Sequence, residues 1–400
     1  MLLVTAACLI AGASPSRSAD LSGRVDLRFR GFAHPPAYPR QERNTAALVL
    51  QPEFQHTSKD GRDSFRVLPH LRLDSASEKP ADFDVRELTY QHLSDSAELR
   101  VGIGRVFWGV VESYRLIDIV NQVDLANDID GDEKLGQPLV NLSLIGDQGV
   151  VDLFVLPTFR ERTFPGRKGR LRSQPPVDTD RAVYESGAGR NRIDYALRWS
   201  HAFDAVDIGL AHFHGTAREP RLVSQCAPPG CNPLTGEGLV LIPRYEVTRR
   251  TSLDLQITGD ATLWKLEALH EARRGESWSA WVAGLEHTLY GILETDSDLA
   301  VLLEYLFDGR GKDSPQPFDD DIFLGVRLAL NDAGDTDLLV GAVSDRDNGS
   351  TFLSVEASRR LDDRWTIELN ARVWIDIERG DPFYPVRRDD HLQLAISRYF

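Results

Sequence analysis

The sequence predicts an all-β protein, a transmembrane antiparallel up-and-down β-barrel of about 18 strands, with 16 as the alternative count. Three observations predict it. Apolar and polar residues alternate at period two along most of the chain after residue 20, and long and short connections alternate between these segments. Beyond the first dozen residues, no apolar stretch approaches the roughly 20 residues of a membrane-spanning helix. Because barrel strands are only half apolar, a hydrophobic fraction of 42% is compatible with this fold.

The N-terminal segment has the pattern of an export signal. An apolar run at 2–10 is followed by small residues, with candidate cleavage points after Ala13, Ser18 and Ala19. We therefore expect a signal peptide over 1–19 and one barrel domain over 20–400, located in a bacterial outer membrane. The formal net charge of −15 gives no reason to expect nucleic acid as a partner.

Strand signals follow one another along the rest of the chain. In the first, Val25, Leu27 and Phe29 alternate with charged residues. The segments that show this alternation are 22–32, 44–58, 63–74, 82–93, 96–107, 139–145, 149–159, 191–203, 205–216, 239–258, 261–273, 277–289, 298–307, 320–331, 335–343, 351–361, 363–377 and 390–400.

The connections between these segments have a rhythm of their own. Long gaps such as 33–43 and 108–138 take turns with short ones such as 59–63, and the exceptions are 274–276 and 290–297. Outer-membrane barrels show this rhythm because long external loops alternate with short periplasmic turns. A secreted soluble β-sandwich or solenoid also alternates at period two but does not require the rhythm, and it is the alternative fold.

The last strand predicts how the barrel closes. Leu392, Leu394 and Ile396 occupy every second position and would face lipid, and Phe400 ends the strand. No strand edge can stay unpaired in lipid, so this strand must pair with the first. A final strand that ends in Phe resembles the signal read by the outer-membrane insertion machinery. That machinery, outer-membrane lipid and lipopolysaccharide are the expected partners, and homo-oligomerisation stays open.

One wall of the predicted lumen is basic, although the chain as a whole is acidic. Arginines occupy inward positions of the early strands, namely Arg24, Arg28, Arg66, Arg72 and Arg100. The third long connection, 108–138, begins with Trp108 and Gly109, where glycine permits a sharp inward bend. The same connection carries the acids Asp118, Asp124, Asp128 and Asp130.

Opposed arginines and carboxylates across a narrow aqueous gap would create a transverse field that orders charged or dipolar solutes. Two alternatives stay open for 108–138. The charges could instead form a structural network that plugs or stiffens the barrel, or the loop could lie entirely outside it.

The stretch VGIGRVFWGVVESYRLIDIVNQVD resembles a segment of a poorly characterised family of proteobacterial outer-membrane, porin-like β-barrel proteins. The matching positions are Gly104, Arg105, Trp108, Gly109, Asp118, Asn121 and Asp124. Gln122 stands where the family pattern has proline, and 150–159 is similar as well. Porins of sixteen or eighteen strands commonly fold their third external loop into the lumen. The resemblance therefore implies that 108–138 is an inward-folded constriction loop.

Cys226 and Cys231 enclose a Pro/Gly loop, and such a close pair in an exported chain predicts a disulfide. We recognise no nucleophile elbow, so we expect no enzymatic activity. We also expect no cofactor and no metal site.

The expected function is an outer-membrane, porin-like channel for passive or facilitated diffusion of small charged or polar solutes. The alternative is a non-conducting, plugged barrel that acts as a scaffold, an adhesin or a component of an export complex. Bulky inward fillers would suit the alternative, and the candidates are Phe154, Phe323 and Trp374.

Overall fold

Eighteen strands form one closed antiparallel sheet in the computed structural model, which describes residues 19–232 and 237–400. The strands in chain order are β1 (Ala19–Phe32), β2 (Asn44–Thr57), β3 (Asp63–Asp74), β4 (Asp82–Leu93), β5 (Ala97–Gly104), β6 (Gln137–Gly146), β7 (Gly149–Leu156), β8 (Val183–Tyr184), β9 (Asp194–Phe203), β10 (Val206–Thr216), β11 (Arg221–Cys226), β12 (Leu239–Tyr245), β13 (Val247–Thr258), β14 (Thr262–Arg273), β15 (Glu276–Leu289), β16 (Asp298–Asp308), β17 (Asp320–Ala329), β18 (Asp337–Asp345), β19 (Thr351–Arg360), β20 (Trp365–Ile375) and β21 (His391–Tyr399).

Strands β8, β11 and β12 form a separate three-stranded sheet, and the other strands make the barrel. Each barrel strand pairs with its neighbours in sequence, and the circle closes where β1 pairs with β21. The helical parts of the described chain are five 3₁₀ turns, Thr179–Arg181, Gly189–Asn191, Ile292–Glu294, Gly311–Asp313 and Tyr384–Val386. None of the helices within 19–232 and 237–400 has the length and apolar character needed to cross a bilayer.

The two faces of the barrel wall differ as the alternation predicts. Leu27 and Phe29 on β1, like Leu392 and Leu394 on β21, point outward and are exposed, whereas Ala395 points inward and is buried. Exposed large apolar side chains recur on strands around the whole barrel. A soluble protein rarely exposes so much continuous apolar surface, and a closed barrel leaves no strand edge unpaired in lipid. The protein is therefore an outer-membrane β-barrel rather than a soluble β-sandwich or solenoid.

The connections follow the predicted rhythm. At one end of the barrel lie nine connections, numbered here as loops 1 to 9: 33–43, 75–81, 105–136, 157–193, 217–246, 274–275, 309–319, 346–350 and 376–390. The connections at the other end are mostly shorter, and 290–297 is the longest of them. The two predicted exceptions to the rhythm are therefore present, as the short loop 274–275 and the longer turn 290–297. Both ends of the barrel domain, at β1 and β21, lie on the short-turn side.

Some boundaries differ from the prediction. Segment 239–258 is two strands, because the chain turns at Glu246 between β12 and β13. The alternation continues across this break, so periodicity alone does not reveal it. Loop 3 is 105–136, which starts and ends slightly earlier than the predicted 108–138. The predicted signal peptide lies outside the described residues, apart from Ala19 at the start of β1.

The apolar core of the described chain lies inside the barrel, between loop 3 and the wall. Ile117 and Val120 of loop 3 are fully buried and belong to one cluster with Phe154 on β7 and Phe213 on β10. A second cluster joins Val111 to Phe323 on β17. Loop 3 is thus folded into the lumen and fills much of its width.

Candidate functional site

Trp108 and Gly109 direct loop 3 away from the wall soon after β5 ends. Trp108 is buried and packs edge-on against Phe154 with ring centroids 5.8 Å apart. Gly109 has φ +125°, and a Cβ at this position would lie 2.5 Å from Oε1 of Glu267. Only glycine therefore allows the backbone to approach β14 so closely.

Two glutamates on the far wall hold the next part of loop 3. The carboxylate of Glu267 on β14 accepts hydrogen bonds from the backbone N–H groups of Val110 (2.6 Å), Val111 (3.1 Å) and Ile117 (3.2 Å). Glu304 on β16 accepts from the N–H groups of Glu112 (2.8 Å) and Ser113 (2.9 Å). These carboxylates satisfy backbone donors that would otherwise be buried without partners.

The return of loop 3 toward β6 is fixed by one amide side chain and one ion pair. Asn121 is buried, accepts from the N–H of Val106 (2.8 Å), and donates to the carbonyls of Gly104 (2.9 Å) and Leu135 (2.8 Å). Asp118 pairs with Lys134, and both side chains are almost fully buried. Burial raises the pKa of Asp118 and lowers that of Lys134, so the pair is costly to bury and each partner depends on the other.

On its other side, loop 3 contacts the basic wall. A register shift between β3 and β4 leaves Arg86 as a bulged residue, and its guanidinium pairs with Asp124 inside the barrel. Burial opposes ionisation of Asp124, but Arg86, with Thr163 and Arg72, outweighs burial and holds the pKa of that carboxyl below its usual value. Arg30 bonds Asp128 at 3.2 Å, so a second acid of the loop is tied to β1.

The five predicted wall arginines lie on the inner face, with different partners. Arg28 donates to the Asn127 side chain at 3.2 Å and Arg72 to the carbonyl of Ala126 at 2.7 Å, so both hold loop 3. The other three bond within the wall: Arg24 to Gln51, Arg66 to Glu53 and Glu87, and Arg100 to Asn141.

Only part of the basic wall faces the acidic loop across the expected aqueous gap. Arg30 and Arg72 border a space of only about 50 Å³. Arg28 borders this space as well, but it also lines a cavity of about 430 Å³ together with Asp128 and Asp130 of loop 3. At Arg30 and Arg72, direct contact has replaced the gap, because these arginines bond the carboxylate of Asp128 and the carbonyl of Ala126.

Larger open spaces lie between loop 3 and the wall formed by β17 to β20, and the inner one also reaches Arg28 on β1 and Gln393 on β21. An outer cavity of about 400 Å³ is lined by loops 3, 4, 5, 7 and 9 and by these strands. An inner cavity of about 430 Å³ lies toward the short-turn end. The two cavities share part of their lining, which we call the junction: Glu112, Asp130, Asp132, Leu339, Glu356 and Arg372.

The charges exposed at the junction are negative. The side chains of Asp132 and Glu356 are 56% and 43% exposed, whereas that of Arg372 is 4% exposed and lies behind them. Arg372 bonds Glu356 at 2.7 Å and Asp130 at 3.4 Å. Burial raises the pKa of Asp130 to about 7, and the neighbouring Asp128 and Asp132 act in the same direction.

Several of these residues were not predicted from the sequence. Glu267, Glu304, Glu356 and Arg372 each hold loop 3 or form the junction, yet none belongs to a recognisable motif. Their only sequence signal is a charged residue at an inward position of a strand, as Glu304 shows within LLEYLF. Many inward positions carry charges, so this signal does not single them out.

The remaining predicted residues have clear positions. Phe154, Phe323 and Trp374 point inward and are buried. Cys226 and Cys231 are joined by a disulfide in loop 5, outside the barrel wall. The backbone of Phe400 exchanges two hydrogen bonds of 3.0 Å with Gly23 at the closing seam, and its ring is exposed.

No protein-family model and no curated protein matches this chain. Among solved structures, a BenF-like porin from Pseudomonas fluorescens is similar at 12% identity, covering 96% of this chain and 97% of that chain, with a TM-score of 0.56. An engineered variant of the Rhodobacter blastica porin is similar at 10% identity, covering 96% of this chain and 100% of that chain, with a TM-score of 0.46. A loop-deleted form of OmpT, an outer membrane protein of Vibrio cholerae, is similar at 9% identity, covering 96% of this chain and 99% of that chain, with a TM-score of 0.47. The likeness to the BenF-like porin agrees with the strand pairing, and the chain has a porin-type barrel fold.

Proposed function

We propose that the protein is an outer-membrane channel, not an enzyme, that passes small polar solutes and favours cations over anions. The junction between the outer and inner cavities carries this proposal. Its most exposed charged side chains are the carboxylates of Asp132 and Glu356, and its own Arg372 is almost fully buried. The half-exposed Arg115 of the outer cavity is paired with Asp132. A pore lined by carboxylates attracts cations and repels anions, most strongly at its narrowest part.

The charges that line the inner cavity also favour cations over anions. Its lining contains eight carboxylates and three arginines among the described residues. Two of those arginines bond acids of the lining itself: Arg327 bonds Glu112 at 2.8 Å, and Arg372 bonds Glu356. A cation that passes the junction would therefore stay in a region of negative potential until it reaches the short-turn end.

A second candidate function is the plugged barrel. Loop 3 reaches from Glu304 on one wall to Arg30 on the other and buries Ile117 and Val120 between them. If the two cavities are closed from each other, the barrel would not conduct. It would then serve as a scaffold, an adhesin or part of an export complex.

Single-channel recording in a planar bilayer tests the proposal, with a KCl gradient to give the ratio of K⁺ to Cl⁻ permeability. The expected result is a conducting channel with a ratio above one. The double variant Asp132→Asn with Glu356→Gln should lower the ratio several-fold, because it removes two exposed charges of the junction.

The matched control is Asp95→Asn, a 94% exposed carboxylate in the turn after β4, at the other end of the barrel. It should leave the ratio unchanged. A ratio below one contradicts cation preference. A silent bilayer in the presence of folded, heat-modifiable barrel contradicts conduction and favours the plugged barrel.

A further inference from the structure

The outer cavity contains a row of aromatic rings that comes from four parts of the chain. Tyr114 of loop 3 packs edge-on against Phe318 of loop 7, with centroids 5.7 Å apart. Phe318 contacts Phe383 of loop 9 at 5.8 Å, and Phe383 stacks on Phe352 of β19 at 5.4 Å. All four residues line the outer cavity. We call them the aromatic row.

Part of the remaining lining is apolar and stiff. Prolines from loops 7 and 9 complete the rim: Pro315, Pro317, Pro382 and Pro385. Proline has a fixed φ, so these segments lose little further freedom when a ligand binds. A volume of about 400 Å³ is within the range of about 300–1,000 Å³ found for small-molecule sites.

The floor of the same cavity is the junction, so an apolar upper part lies directly above exposed carboxylates. Asp132 and Glu356 are the most exposed acids there. Aromatic faces also attract cations, because the ring quadrupole places negative charge on the face. Both parts of the cavity therefore favour a positively charged group attached to an apolar body.

Arginines also line the outer cavity, but the structure gives each a partner. Arg115 pairs with Asp132 at 2.5 Å, and Arg162 donates to the side chain of Gln122 at 3.1 Å. Arg172 lies over the ring of Tyr38 at 5.2 Å and bonds the carbonyl of Ser173. An anion would have to displace these partners and approach the exposed carboxylates.

We propose that the outer cavity binds hydrophobic organic cations, namely amines or quaternary ammonium ions that carry one aromatic ring or an apolar group of similar size. The apolar group lies against the aromatic row, and the cationic group lies at the junction. The bound molecule then passes into the inner cavity. This passage rests on the proposed channel function, whereas binding itself does not require conduction.

The test uses benzyltrimethylammonium as the probe and benzoate as the anion of similar size. Added on the loop side, benzyltrimethylammonium should block the K⁺ current in a concentration-dependent way, and benzoate should not. Phe318→Leu removes one ring with little loss of volume and should weaken the block about tenfold. Phe83→Leu changes an exposed ring on the outer face of β4 and should leave the block unchanged.

Each outcome separates this inference from the proposed function. A K⁺-selective current that benzyltrimethylammonium does not block, or that benzoate blocks equally, overturns the inference and leaves the channel intact. If the bilayer is silent, calorimetry of benzyltrimethylammonium with the refolded protein in detergent decides. Binding that Phe318→Leu weakens supports the inference, and absence of binding overturns it.

Discussion

At the scale of single residues, Asp130 is a junction carboxyl whose charge changes near neutral pH. Burial, together with the carboxylates of Asp128 and Asp132 in the same loop, raises its pKa to about 7. Arg372 on β20 opposes this rise. Glu356 on β19 shares the same guanidinium and adds another negative charge nearby.

We expect cation selectivity to increase between pH 6 and pH 8. A carboxyl with a pKa near 7 is mostly neutral at pH 6 and mostly ionised at pH 8, so the junction gains negative charge as pH rises. The measurement is the K⁺ to Cl⁻ permeability ratio at both pH values. Asp130→Asn should remove most of the difference between them.

Glu133→Gln is the matched control, because Glu133 belongs to the same loop and lines the inner cavity but not the outer one. It should lower the ratio at both pH values and keep the increase. A ratio that falls as pH rises would contradict this assignment to Asp130.

The sequence predicted the inner face of the wall arginines but not their contacts. Strand alternation assigns Arg28 and Arg72 to the lumen because period two fixes the face of each side chain. Strand alternation does not predict the contact between Arg372 and Asp130. These residues are 242 positions apart and come together only because of the path of loop 3. The basic wall was therefore predicted, whereas the position of the open space was not.

At the scale of elements, loop 3 depends on carboxylates of strands that follow it by more than a hundred residues. Glu267 accepts three backbone hydrogen bonds from the loop, and Glu304 accepts two more from backbone donors. The loop sequence predicted an inward bend at Gly109 but not these partners. Every residue except proline has a backbone N–H, so the sequence does not show which of these groups will need a side-chain acceptor.

We expect Glu267→Gln to loosen loop 3. The amide replaces one acceptor oxygen with a donor group, and each buried N–H left unpaired costs about 1–3 kcal/mol. The single-channel conductance should increase and the open-channel current should become noisier. The control is Asp152→Asn on β7, whose carboxylate accepts hydrogen bonds from Ser143 and Asn141 on β6. Identical conductance traces for wild type and Glu267→Gln would contradict the anchoring role.

At the scale of the whole molecule, the strand rhythm predicted a closed barrel, and the register now makes that closure testable. Leu27 on β1 lies opposite Ile396 on β21, with both side chains on the outer face. Cysteines at facing positions of adjacent strands come close enough to form a disulfide. The double variant Leu27→Cys with Ile396→Cys should therefore crosslink in the folded barrel.

The crosslink is detected as altered mobility of the heat-denatured, unreduced chain in electrophoresis. Leu27→Cys with Leu392→Cys is the control, because Leu392 lies four residues along the same face and opposite Gly31. Equal crosslinking of both pairs would contradict the register of this seam.

The seam between β1 and β21 also constrains the order of assembly. In every other pair, the two barrel strands follow one another along the chain. Those pairs can therefore form as the chain emerges. Strand β1 is the first barrel strand and β21 the last. One edge of β1 therefore stays without its final partner until the other strands have formed. Its backbone groups need a temporary partner during that time, since an unpaired edge is unstable in lipid and prone to wrong pairings in water. The slowest step of assembly should therefore be the exchange of that temporary partner for β21.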